Sequence, residues 1–124
     1  MLKRSEKRLE IKKLNEQLKE YENDLVMLEE SYKVIKLDYE SIVKDVFEPT
    51  KTYDMTPLKI YGNDIYEEAE EHRKKIVVEI WKNLKDTEKF MSELLVAKTN
   101  IQKAIQECGN KKKAFEAELD ISVS

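Results

Sequence analysis

The stretch TYDMTPLKIYGNDIYEEAEEHR, residues 52–73, carries Pro57 and Gly62, one of the two prolines and one of the two glycines in 124 residues. On either side the chain is written mostly in Lys, Glu, Leu and Ile at helical spacing. Whether this stretch interrupts the helix decides the fold. Pro49, Thr50, Thr52, Tyr53, Asp54, Thr56 and Pro57 all favour turns or rank poorly as helix formers. Pro49 also disfavours helical backbone at Glu48 and cannot donate a hydrogen bond, so a first helix is expected to end at residues 46–48. Gly62 can take a positive φ. Asn63 or Asp64 can then cap the next helix, with Glu67 and Glu68 near the positive end of its dipole. The reading is an irregular or extended bend over residues 48–63 between two helices.

Outward from the bend, both flanks carry a coiled-coil seam. Toward the N-terminus, apolar residues fall at Ile11, Leu14, Leu18, Tyr21, Leu25, Leu28, Tyr32, Ile35, Tyr39, Ile42 and Val46 in alternating steps of three and four, which predicts one helix over residues 4–47. Charges such as Glu29 and Lys33 lie off the seam as weak i,i+4 pairs. Toward the C-terminus, Ala69, Arg73, Ile76, Ile80, Leu84, Thr87, Met91, Leu94, Lys98, Ile101, Ile105, Cys108, Lys112, Phe115 and Leu119 predict a longer second helix over residues 64–120. Two seams joined by a bend predict an all-α, single-domain fold, an antiparallel two-helix coiled-coil hairpin. In that arrangement Val46 is expected near Ile65 and the start of helix one opposite Ile105 and Cys108, leaving roughly a dozen C-terminal residues overhanging. Gly109-Asn110 predicts a kink or frayed spot, and residues 121–124 are expected to be disordered.

Composition narrows the function classes. The 23 basic and 26 acidic residues, net charge −3, are interleaved as on solvated helix faces and leave no nucleic-acid footprint. Lys111, Lys112 and Lys113 read as a solvated helical turn rather than a phosphate site. No apolar run approaches the roughly 18–20 residues that span a bilayer, and MLKRSEKRLE lacks a signal peptide's apolar core, so a cytoplasmic chain without membrane insertion is expected. Cys108 is the single cysteine, which suits a reducing compartment and reads as a small buried apolar side chain.

No residue pattern points to catalysis. His72 is the single histidine and has no Cys or His at metal-ligand spacing. Lys98 on the second seam reads as a snorkelling stem that sets register. Carboxylate pairs such as Glu67 and Glu71 are what an acid-rich chain supplies by chance, and no inward Glu-x-x-His motif occurs. A two-helix hairpin should enclose no pocket of about 300 Å³. The expectation is a protein that is not an enzyme and holds no cofactor or metal.

Apolar residues off the seams point to binding. Val26, Met27, Val34 and Leu37 on helix one, and Val78, Trp81 and Val96 on helix two, occupy places that a solvated helix fills with charge. They predict a surface that packs on further helices, with Trp81 as an interface anchor. The alternative for Trp81 is packing back near Tyr32 or Tyr39.

The bend also carries a family resemblance, in FEPTKTYDMTPLKIYG and above all in Glu48-Pro49 and Ile60-Tyr61-Gly62. The helix–bend–helix plan resembles the WXG-type helical-hairpin proteins of type VII secretion, and most closely the small accessory proteins encoded beside LXG-domain toxins of Gram-positive bacteria. Ile60 stands where that family has Trp. The tail's Phe115-x-x-x-Leu119-Asp120 differs from the family's aromatic-x-x-x-acid export signal. The resemblance implies a targeting chaperone or adaptor that binds the helical N-terminal region of an LXG toxin, together with a second small helical accessory protein, and is cytoplasmic or secreted in complex with the toxin. Two other readings stand beside it. One is a structural coiled-coil protein that homo-oligomerises. The other is a prefoldin-like holdase, although the bend leaves little room for β-hairpins and holds no Asn-Gly or Asp-Gly turn.

Overall fold

The computed structural model describes the backbone of residues 3–123 and the side chains of residues 3–120. It is all-helical, with no strand among the described residues. α1 (Arg4–Ile42) runs into a π-helical turn (Val43–Phe47) and a short α2 (Glu48–Thr52); a 3₁₀ turn (Thr56–Tyr61) then leads to α3 (Asn63–Val123). These elements form two compact units, one made of Met1–Ser31 with Leu94–Ser124, the other of Tyr32–Glu93.

In the first unit, α1 and α3 meet in antiparallel order. Lys7 Nζ lies 3.4 Å from Glu118 Oε2, the Cys108 thiol donates to the Leu14 carbonyl at 3.5 Å, and Lys98 Nζ lies 3.5 Å from Glu29 Oε1. Leu14 and Cys108 are buried, which keeps the thiol within the apolar seam. Lys7 is buried too. It stands one heptad before Leu14, so its stem continues the seam while its amine reaches Glu118. Three expectations are corrected here. Lys7 already faces Glu118, so the expected overhang beyond Cys108 shrinks. Glu29 pairs across to Lys98 and not along the helix to Lys33. α3 runs unbroken through Gly109, because one helical glycine costs only about 1 kcal/mol against the many seam contacts around it. The helix also continues through Ile121, Ser122 and Val123, where disorder was expected; Ser124 lies outside the described residues.

In the second unit the decisive feature is the π turn. In a regular α-helix the ring of Pro49 would collide with the carbonyl of Asp45, four residues back. The wider turn, in which the Glu48 N–H bonds the Val43 carbonyl, relieves that collision and places Pro49 in the first turn of α2, where no donor is needed. Helical backbone therefore passes Pro49 and ends at Thr52, contrary to the expected stop at residues 46–48. The extra residue also shifts the seam by one. Val43 and Phe47 turn to half-buried positions, and Ile42 and Val46, expected on the seam, are exposed. On α3 the regular spacing from Arg73 selects Val77, which is half-buried, over the expected Ile76, which is exposed. Thr50 lies opposite Arg73 in this unit, so Val46 cannot sit by Ile65 as expected.

The bend is more ordered than propensity suggests. At Tyr53 the backbone turns extended (φ −62°, ψ 130°). Asp54 Oδ1 accepts bonds from the Thr56 N–H at 3.0 Å and its hydroxyl at 2.6 Å, an Asx turn that launches the 3₁₀ segment with Pro57 in its first turn. Gly62 then takes φ 115°, ψ 152°, a region essentially closed to other residues. Its N–H bonds the Lys59 carbonyl and its carbonyl accepts from the Tyr66 N–H. Gly62, rather than Asn63 or Asp64, thus holds the cap position of α3.

Candidate partner-binding surfaces

The side chains that fasten the bend are Arg73 and Glu70. Arg73 Nη1 donates to the Lys51 carbonyl at 2.7 Å and the Thr50 carbonyl at 3.3 Å, the last acceptors of α2. Its Nε and Nη2 form a fork on Glu70 at 3.1 and 2.8 Å. A cation at a helix C-terminus satisfies orphan carbonyls and opposes the dipole's negative end. The fork on Arg73 holds the Glu70 carboxyl below its ordinary range and raises the guanidinium above its own. The hydrogen bonds from Thr56 hold the Asp54 carboxyl low as well. A second cluster binds α1 to α3 in the same unit: Tyr39 Oη donates to Glu88 Oε1 at 2.5 Å, and Lys85 Nζ lies 3.0 Å from Glu88 Oε2. The tyrosine and then the lysine hold the Glu88 carboxyl low, and the Glu88 acceptor raises the Tyr39 phenol.

Beyond these fastenings the structure leaves apolar side chains uncovered. In the first unit Val26 and Met27 are exposed; in the second, Val34, Leu37, Val78 and Trp81 are exposed. At about 100° per residue, Val26 and Met27 in the first unit lie well off the seam of α1, and so do Val34 and Leu37 in the second. Trp81 keeps about half its surface open, 49%, with Lys85 Nζ 5.6 Å above its ring, a cation–π contact. Val78 lines a surface groove of about 280 Å³ with Glu71, Lys74, Lys75 and Glu79. In the first unit a groove of about 390 Å³ opens between α1 and α3, lined by Asp24, Met27, Leu28, Ser31, Ala97 and Ile101. One volume exceeds and the other approaches the roughly 300 Å³ of a ligand pocket, but both are grooves open to solvent and not enclosed cavities. At the bend Ile60 and Tyr61 are strongly exposed, at 80% and 69%, and Tyr53 is exposed beside them in sequence.

Among the described residues no group of three or more His, Cys, Asp or Glu is placed to hold a metal ion, and no helix is long and apolar enough to cross a membrane. His72 is exposed on α3 and lies 3.8 Å from Glu68.

Sequence reading placed Arg73 on the seam without giving it a task. The available signal was a cation at a seam register that faces the C-terminus of a helical turn. The Tyr39–Glu88 pair carried a weaker signal, a hydroxyl-bearing ring at a seam position. Comparison with family models, curated proteins and solved structures gives no match to the chain.

Proposed function

We propose that the chain is a non-catalytic helical adaptor, an antiparallel two-helix coiled-coil hairpin that binds the N-terminal helical region of an LXG-type toxin and targets it for export by type VII secretion. The observation that carries the adaptor part is apolar surface off the seam of α1 in each unit. Val26 and Met27 in the first unit, and Val34 and Leu37 in the second, are exposed on a chain that is 40% charged, and such patches fit another amphipathic helix. The exposed Val78 and Trp81 on α3 add an aromatic anchor of the kind that dominates interface energies. The secretion part rests on the resemblance of the bend, where Ile60-Tyr61-Gly62 ends in the positive-φ glycine that a fixed turn demands. A second small helical protein completes the complex, which assembles in the cytoplasm and is exported with its toxin or releases it at the machine.

Co-expression tests this reading. The chain should co-elute on size exclusion with the N-terminal helical region of an LXG protein encoded beside it, raise that region's solubility and gain thermal stability by mass action. A chain that runs as a self-sufficient oligomer and ignores the toxin segment would be a structural coiled-coil protein.

A further inference from the structure

In the second unit, apolar side chains at the seam come in adjacent pairs: Ile42 with Val43, Val46 with Phe47, and Ile76 with Val77. In each pair the structure half-buries the second residue and leaves the first exposed. Half-buried Ile35 and Tyr39 mark the side of α1 that faces α3, Tyr39 through its bond to Glu88. Val46 follows Tyr39 by seven residues and Ile35 by eleven. At about 100° per residue, an unbroken α-helix returns Val46 to within about 20° of both and sets Phe47 about 100° further round. A regular helix would therefore bury Val46. The π turn, closed by the Glu48 N–H on the Val43 carbonyl, takes up one extra residue and buries Phe47 instead. On α3, Ile76 and Val77 flank the line of Arg73, Ile80 and Leu84 on opposite sides, so that helix carries a β-branched side chain for either arrangement.

We infer that the second unit has two packing registers and that Pro49 selects between them. With the proline, Val43 and Phe47 turn toward α3; without it, the helix closes to regular α geometry, Val46 turns in and Phe47 turns out. The cause is local, because the proline ring bars regular helix at the Asp45 carbonyl and the widened turn lets helical backbone pass it. Arg73 then fastens this register, since the Thr50 and Lys51 carbonyls that it holds belong to the turn carrying Pro49. The selection decides which apolar side chains the unit shows outward, namely Ile42 and Val46, 43% and 44% exposed, in place of Phe47. It concerns the chain's own packing and holds whatever partner the chain binds.

The test places Phe47→Gln and Val46→Gln separately in the wild-type chain and in Pro49→Ala, glutamine being a good helix former that removes the apolar group. Far-UV circular dichroism melts read the cost. In the wild-type chain Phe47→Gln should lower Tm by at least about 5 °C more than Val46→Gln, and in Pro49→Ala the order should reverse. Thiol labelling reads the same change without unfolding the chain. With Cys108→Ala removing the native thiol, the thiol of Val46→Cys should react with a disulfide reagent faster than that of Phe47→Cys, and Pro49→Ala should exchange the two. An order that stays the same in Pro49→Ala overturns the inference, because the packing of Phe47 alone would then hold the π turn. So do equal losses at positions 46 and 47, which would mean that neither register is selected.

Discussion

The same substitution at the two glycines should move stability in opposite directions. At both positions an added Cβ meets no atom within 4 Å, so packing contributes nothing and the backbone decides. Gly62 sits at φ 115°, ψ 152°, where a side chain costs on the order of 1–3 kcal/mol. Gly109 is inside α3 without positive φ, and alanine there gains about 0.5–1 kcal/mol from reduced freedom of the unfolded chain. For a domain of this size 1 kcal/mol moves Tm by about 3–5 °C. Gly62→Ala should therefore lower Tm by about 3–15 °C, and Gly109→Ala should raise it by about 2–5 °C. The two glycines lie in different units, so the double variant should show the sum. Far-UV circular dichroism melts measure all three. A neutral or stabilising Gly62→Ala would show that the bend does not hold this backbone in solution, and a destabilising Gly109→Ala would show that α3 is not continuous there.

Arg73→Met keeps the stem and removes the donors to the Lys51 and Thr50 carbonyls; Tm should fall, and trypsin should cut faster after Lys51 and Lys59, while unchanged cleavage would deny the clamp. The Glu70, Glu88 and Asp54 carboxyls are held below their ordinary values of 4.5, 4.5 and 3.8, so their stabilisation is complete above those values and is lost as pH falls through and below them. Tyr39 is raised above 10.0, so its share is present below that pH and disappears as the phenol ionises above it. Tm measured against pH should hence fall on both sides, and Tyr39→Phe should remove the alkaline loss and soften the acid one. Trp81→Ala should leave helicity unchanged and weaken partner binding by about 2 kcal/mol, read by circular dichroism and titration; unfolding of the isolated variant would place Trp81 in the core.

The periodic parts of the fold were legible because seams repeat. From Ala69 to Leu119 the three-and-four spacing anticipated the covered positions except at Val77, which takes the place of Ile76 where two adjacent β-branched residues fit the pattern almost equally, and at the flanking Glu70, Glu88, Ala97, Ala104 and Gly109, which are half-buried as well. The π turn was not legible. Its cause, Pro49 against the carbonyl of Asp45, is visible in sequence, but a chain can answer that collision by stopping or by widening, and only the packing of Val43 and Phe47 chooses. Arg73 shows a similar limit: its task depends on where α2 ends, which follows from the π turn. The apolar surface residues were readable as places where charge was missing. Their distribution over two units needed the register between helices.

The adaptor account is tested most directly by export in the native host. Deleting the gene should abolish secretion of the LXG toxin encoded beside it while the toxin made in the cell keeps its catalytic activity, and complementation with the wild-type chain should restore export. Normal secretion of that toxin in the deletion strain would contradict the account.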